Sequence, residues 1–456
     1  MWRKSETGHW IRKQDIQTEN RTLRSETGYK MAAEQNMTQQ NTPTPDAIRK
    51  NMLWNVIGSV GFIGAQWVMT ILIVHLAGYT EAGYLSLGLS LTNVFTNIAY
   101  FCIRNFQVSD SRSKYTTDTY VTHRVVMTVL ALAGYTVFVL LNGYSLYLTV
   151  FLILFMVYRV SEAVVDVFHG IDQRFWRLDT AGQSFLARGI LTLAAFVIVE
   201  KLTGNLVITT LVMLVAAYGV ILFFDIPRAA KLESFSVKLG KKEWPALVAL
   251  TRECLPLFIY AICLNAVVPI PRYFLEKLKG SEVLGFYASV AIPASVIQLL
   301  ASYVFNTFTG LFSEYREKGQ KREFMALFWK LTAAVCAIVV LAVGGSLLLG
   351  EWALTLVFNE SIRPYAYLLA PTVVCCGVIA MIWFVGTVLV VLRDMKGLLT
   401  GSVAGAIVCA AVSYPCILAW GVDGVNVSLF ISSVVSLLIF AWRLHSFILR
   451  LNSSAA

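Results

Sequence analysis

Apolar runs of about 20 residues recur from position 52 to the end of this 456-residue chain. A helix of that length crosses roughly 30 Å of hydrocarbon, and in lipid every backbone polar group must be satisfied within the helix. A water-soluble chain of this length would divide into about three domains. A composition that is 57% hydrophobic and only 14% charged, with mean hydropathy +0.67, overrules that division. The sequence predicts an all-α polytopic membrane protein. We read twelve helices, over 52–77, 82–105, 123–142, 145–168, 184–200, 204–224, 253–272, 282–310, 323–350, 363–392, 397–420 and 424–449.

The longest polar interruption, 225–252, splits these helices into six plus six. The expected organisation is therefore a polar, unstructured tail over 1–50, a six-helix lobe over 51–224, a linker over 225–252 and a second six-helix lobe over 253–456. SETG recurs at 5–8 and 25–28, and Met31 or Met37 are alternative starts, because nothing before Pro45 looks necessary for folding.

The net charge of +10 would suggest nucleic acid in a soluble protein. Here it follows from orientation. With the first residues inside, 31 of the 37 Lys and Arg fall on the inner side and five (Lys201, Arg272, Lys277, Lys279 and Arg363) on the outer side. Basic residues concentrate on the cytoplasmic side of a membrane protein, so both termini are expected in the cytoplasm of a multi-pass plasma-membrane protein. No nucleic-acid partner is implied. The eight cysteines form no CxxC pair and lie in or beside apolar runs, where they read as small packing residues; no metal site and no cofactor are expected. No GxxxxGK[ST] loop provides for ATP. The loops expected outside are short, which leaves little room for a catalytic domain there, and we expect no enzyme.

One of the 37 basic residues, Arg159, falls near the middle of the fourth helix. Arg159, Glu162, Asp166 and His169 share one helical face, within an arc of roughly 90°. Ionisable residues are costly in the bilayer and usually face a bundle interior or a watery path. Two readings stay open for the Arg159–Glu162 pair: a lock between helices, or a charged strip on a cavity. Asn93, Asn97 and Arg104 make a second stripe, Asn265 a third, Gln298 and Asn306 a fourth. Each alone suits helix–helix hydrogen bonding; together they suggest a shared polar interior. Pro269 and Pro271 remove backbone donors and should kink the seventh helix, which makes them hinge candidates. Arg104, Arg159 and Arg272 stand at three depths, a cationic ladder suited to a phosphate or pyrophosphate headgroup through the planar guanidinium fork. Glu162 and Asp166 are candidates for pairing or ion coupling.

Four stretches carry a family resemblance: NMLWNVIGSVGFIGAQWV at 51–68, EAGYLSLGLSLTNVFTNIAYFCIRNFQVSD at 81–110, QRFWRLDTAGQSFLARGI at 173–190, and LPLFIYAICLNAVVPIPRYFLEKLKGSEVLGFYASV at 255–290. In order and spacing the chain resembles the polysaccharide and O-antigen flippases (Wzx-type) of the multidrug/oligosaccharidyl-lipid/polysaccharide (MOP) exporter superfamily. The resemblance implies a MATE-like fold, with two pseudo-symmetric lobes around a central cavity. It also implies outward movement of a polyprenyl-pyrophosphate-linked oligosaccharide by alternating access, with membrane lipids and other glycan-assembly proteins as partners. Arg272 matches the family's Pro-Arg-Tyr position and Arg104 the RNFQVSD segment. An ion-coupled multidrug exporter of the same superfamily is the first alternative, and a membrane glycan polymerase or ligase is one of another class.

Overall fold

A computed structural model describes residues 2–4, 10–12, 45–110 and 114–453; within the helices, the side chains at 45, 299, 303, 306 and 447–453 are outside the description. Residues Met1–Leu53 and Trp54–Ala456 form two compact units. In the first, strands β1 (Trp2–Lys4) and β2 (Trp10–Arg12) pair antiparallel, with Trp2 opposite Arg12. Helix α1 (Pro45–Ala77) starts within the stretch expected to be unstructured. The reason is local. Proline at a first helical position has a preset φ and loses no hydrogen bond, and Asp46 follows it at the positive end of the helix dipole. The SETG repeats and the alternative starts lie outside the described residues.

The first half continues through α2 (Tyr79–Tyr100), α3 (Ile103–Ser109), α4 (Thr117–Leu141), α5 (Leu146–Arg174), α6 (Leu178–Thr203) and α7 (Leu206–Val220). A π-turn over Ile221–Asp225 then leads into α8 (Ile226–Leu232). The second half holds α9 (Trp244–Ala266), α10 (Pro269–Lys279), α11 (Ser281–Asn306), α12 (Thr309–Glu317), α13 (Lys321–Val357), a 3₁₀ turn over Glu360–Leu368, α14 (Leu369–Val391), α15 (Met395–Trp420) and α16 (Asp423–Ser453). Eleven of the helices among the described residues are long and apolar enough to cross a membrane. The counterpart of the expected fifth span, α6, has 26 residues but also carries Asp179, Arg188, Glu200 and Lys201. The link between the halves is shorter than the sequence suggests: only 233–243 lies outside helix.

The ends of the bundle differ. Turns at one end pass through left-handed glycines, among them Gly78, Gly143, Gly204 and Gly421; this is the Gly78 end. The link 233–243 lies at the other, the link end. At the Gly78 end one hydrophobic core draws on both halves, with Tyr79, Phe151 and Phe196 from the first and Tyr287, Ile362 and Val425 from the second. At the link end two further cores form. Phe312, Phe328, Phe384 and Phe440 make one wholly within the second half. Tyr120, Phe168 and Ile221 make another in the first half, joined by Leu250 and Cys254 of α9.

Backbone contact closes the Gly78 end. A Cβ on Gly83 would lie 1.8 Å from the Ser281 carbonyl oxygen, and one on Gly285 would lie 2.0 Å from that of Tyr79, so α2 and α11 meet only because both positions lack a side chain. The Tyr79 ring stacks on Phe286 at 3.8 Å, and Phe286 stacks on Tyr365 at 4.5 Å. The Tyr79 hydroxyl donates to Asn359 Oδ1 at 3.0 Å, and His75 Nε2 lies 2.7 Å from the Val357 carbonyl oxygen. The common core joins the halves at the Gly78 end, and α9 also bridges them at the link end, where Glu253 binds Lys114 and Tyr115; between these contacts the exposed Asn93 and Asn265 mark a cleft.

Candidate functional site

The charged residues of α5 face its neighbours within the first half. Arg159 Nη1 donates to Glu162 Oε1, which also accepts from Gln66 Nε2 of α1 at 3.2 Å. Only 11% of the Arg159 side chain and 15% of Glu162 are exposed. Glu162 thus pairs with Arg159 on its own helix and ties α5 to α1 through Gln66. Arg159 also borders a void of about 20 Å³, lined entirely by first-half residues including Met69, Leu89, Phe155 and Phe196. That is room for about one water. In this conformation the middle rung of the ladder does not face the cleft between the halves.

Asp166, one turn further, binds two arginines. Arg104 Nη1 donates to Asp166 Oδ1 at 2.9 Å and Arg124 Nη2 donates to Oδ2 at 2.6 Å. Arg124 also donates to the Ala99 carbonyl oxygen at 2.8 Å, and Arg104 to Gln173 Oε1 at 3.1 Å. The two differ in setting: the Arg104 side chain is 28% exposed, that of Arg124 only 1%. A backbone break aims Arg104. Phe101 and Cys102 have φ of 43° and 54°, a left-handed pair that divides α2 from α3 and costs about 1–3 kcal/mol for each residue. The Phe101 ring, stacked 4.2 Å from Phe258 of α9, holds the break in place.

Arg124 and Arg188 extend the sequence reading, which counted both on the inner side at the ends of expected helices and gave neither a role in the site. Arg124 lies two turns inside α4, whose start is earlier than the apolar run alone suggests because Thr116 caps it by accepting from the Thr119 amide. Arg188 lies within α6 and is 1% exposed. It donates to Ser161 Oγ at 2.8 Å and lies 5.5 Å from the Phe62 ring centre, while its Nε and Nη1 have no acceptor among the described residues. Their signal was the place of each Arg inside the first turn or two of an expected helix, a weaker cue than the inner-side charge count that absorbed them.

The remaining candidates divide between cleft and core. Asn93 and Asn265 are exposed; Asn97 and Gln298 are half-buried. Asn265 Nδ2 donates to Asn97 Oδ1 at 3.4 Å across the two halves, and Asn97 donates to the Asn93 carbonyl oxygen at 2.6 Å. The Asn306 side chain lies outside the described residues. His169 is fully buried, with Nε2 3.5 Å from Asp225 Oδ1. The π-turn places Asp225 there, and Ser184 Oγ donates to it at 3.0 Å. Arg272 is half-buried, 5.9 Å from the Tyr287 ring centre, with no carboxylate in salt-bridge reach among the described residues. The expected kink is a full break: Val267 and Val268 separate α9 from α10, and Pro269 and Pro271 are buried in the first turn of α10. No group of His, Cys, Asp and Glu among the described residues is arranged to hold a metal ion.

The strip of Arg104, Arg124, Arg159, Glu162 and Asp166 thus holds three guanidiniums against two carboxylates, one positive charge in excess.

The fold is that of the MATE transporters of the MOP superfamily. The chain is similar to a multidrug resistance MATE family transporter in its inward-facing conformation, with TM-score 0.60 and 12% identity over 90% of this chain and 96% of that one. It is also similar to an outward-facing conformation of such a transporter, with TM-score 0.56 and 12% identity over 89% and 96%. In sequence it is 24% identical over 315 residues to the capsular polysaccharide biosynthesis protein CapF of Staphylococcus aureus, covering 68% of this chain and 77% of that protein. No family model matches the chain.

Proposed function

We propose that this protein is a Wzx-type flippase, which moves a polyprenyl-pyrophosphate-linked oligosaccharide from the inner to the outer leaflet of the cytoplasmic membrane by alternating access. The observation that carries this reading is the positive excess on the α5 strip. An anionic headgroup neutralises it, and the guanidinium fork matches phosphate oxygens. The similarity to a capsular polysaccharide biosynthesis protein supports a glycan as the cargo.

The Lys and Arg distribution supports a cytoplasmic link end and cytoplasmic termini. The cleft then opens inward, where a lipid-linked glycan is made. Arg104, partly exposed, meets the pyrophosphate first. Headgroup oxygens compete with Asp166 and Glu162 for the guanidiniums, and Arg272 in the second half receives the anion when the halves rock. Pro269 and Pro271, at the break between α9 and α10, serve as the hinge. Glu162 and Asp166, displaced from their arginines, are the groups able to take up a coupling proton. Membrane lipids surround the protein, and glycan-assembly proteins supply its substrate. A cation exporter of the same fold is less well served, because the cleft's partly exposed charge, Arg104, is basic.

The test is the sidedness of lipid-linked glycan in cells lacking the gene and complemented with wild type, Arg104→Ala, Arg159→Ala or Arg159→Lys, at matched membrane expression. Outer-leaflet glycan should return with wild type, fall at least tenfold with either Ala variant, and return in part with Lys. Normal export in the deletion strain, with no second flippase present, would refute the function.

A further inference from the structure

The charged strip provides for a phosphate headgroup and leaves a second pocket unassigned. This pocket, of about 290 Å³, lies in the second half between α9, α11 and α14. Its walls include Tyr260 and Asn265 from α9, Ser302 and Phe305 from α11, and Trp383 and Thr387 from α14, with no charged side chain among them. The volume is near the lower bound of small-ligand sites, about 300 Å³. Asn265 fixes its position. Its amide reaches Asn97 of the first half, so the pocket shares the cleft side of the second half rather than its lipid side.

The walls are supported from behind. Phe305, 3% exposed, packs at 5.5 Å on Phe384 of the second-half core. A Cβ on Gly386 would lie 3.0 Å from the Tyr260 hydroxyl, so the missing side chain gives that hydroxyl its place against α14. Thr387 Oγ1 donates to the Trp383 carbonyl oxygen at 2.9 Å, leaving its lone pairs as acceptors. Among the described residues neither the Tyr260 hydroxyl nor the Trp383 indole N–H has a protein hydrogen-bond partner, and neither is among the buried unsatisfied atoms, so both reach accessible space.

Aromatic faces set beside an amide and hydroxyls, without charge, match one chemistry well. A sugar ring has an apolar C–H face that lies on an aromatic ring, and an edge of hydroxyls that both donate and accept. Tyr and Trp offer an apolar body with a polar tip, and Asn265, whose amide hydrogens go to Asn97 and the Ala261 carbonyl oxygen, offers its Oδ1 as an acceptor. We propose that this pocket is a carbohydrate subsite, which holds a neutral sugar of the cargo while its pyrophosphate lies against the guanidinium strip of the first half. The inference rests on the flippase reading and adds a division of labour to it: charge recognition in one half, sugar recognition in the other.

The test measures binding of two probes to the purified full-length protein in mild detergent. One is bare polyprenyl pyrophosphate; the other is the same lipid carrying each of a panel of neutral disaccharides. Wild type should bind both and gain affinity from at least one disaccharide. Trp383→Leu and Asn265→Ala should each weaken that glycan-bearing probe about tenfold and change the bare lipid less than twofold. Trp383→Phe keeps a ring and should recover most of the loss, which separates stacking from misfolding. Arg104→Ala should weaken both probes. Equal weakening of both by Trp383→Leu would make the pocket a lipid-tail or packing site and overturn the proposal. So would a wild type that gains nothing from any disaccharide, with the flippase reading left standing if the bare lipid binds. A wild type that binds neither probe overturns both.

Discussion

Replacing Asp166 by Asn removes the one carboxylate that two guanidiniums share, and the cost can be apportioned from their burial. Arg124 is 1% exposed and would retain only the Ala99 carbonyl oxygen and a neutral amide in place of its anion. Breaking a buried ion pair by removing one partner costs about 3–5 kcal/mol, because the remaining charge stays desolvated. The retained amide oxygen places Asp166→Asn near the lower limit, about 3 kcal/mol. Arg104, 28% exposed and also bonded to Gln173, behaves more like a surface partner, worth about 0–1 kcal/mol. Arg104→Met should therefore cost about 1 kcal/mol or less, and Asp166→Asn made on an Arg124→Met background should cost about 1 kcal/mol instead of 3. Equilibrium unfolding in mild detergent, run as a double-mutant cycle, reads the coupling directly. An Arg104→Met cost equal to that of Asp166→Asn, or a coupling between Asp166 and Arg124 below about 1 kcal/mol, would refute the assignment of Arg124 as the dominant partner.

Three further expectations follow from contacts described above. Gly83→Val places carbon where the Ser281 carbonyl oxygen stands, so the Gly78 end should no longer close; spin labels across that end should report a longer distance and transport should be lost. Tyr79→Phe keeps the stack on Phe286 and loses the bond to Asn359, a cost of about 1 kcal/mol in the same unfolding assay, whereas Tyr79→Ala should cost about 3 or more. Asp110 lies just beyond α3. Burial alone would raise its pKa, but the amides of Lys114 and Tyr115 and the Tyr120 hydroxyl outweigh it and hold the carboxyl below its usual range. A lowered folded pKa gives stability that is complete above the unfolded value of about 3.9 and lost as pH falls through the folded one. Stability measured from pH 6 down to 3 should fall in wild type and flatten in Asp110→Asn.

The sequence is a good guide wherever one helix decides the matter. Apolar runs mark the helices because lipid leaves the backbone no other partner, and the arc shared by Arg159 and Glu162 is a property of α5 alone. It is a poor guide where helices meet. Asp166 and Arg124 stand 42 residues apart, and nothing local ties one to the other. Arg188 was missed for the same reason, counted with the inner-side charge although the helix expected over 184–200 contains it, and it is buried on α6. The break of α2 at Phe101 and Cys102 carries no glycine or proline to announce it, since the Phe258 stack from the other half holds it. The early start of α1, by contrast, was legible: Pro45 followed by Asp46 is a helix-opening pair.

The unequal division of the hydrophobic cores has a thermal consequence. On the proposed alternating access, opening the Gly78 end wets a shared apolar core, while closure at the link end brings together a lining that includes Asn93, Asn97, Asn265 and Arg104. Exposing apolar surface carries a large positive heat-capacity change, and burying polar surface does not cancel it but adds to it. The balance between the two conformations should therefore curve with temperature instead of following a straight van't Hoff line. On the proposed mechanism the resting state shifts as the surroundings warm or cool, before any substrate arrives.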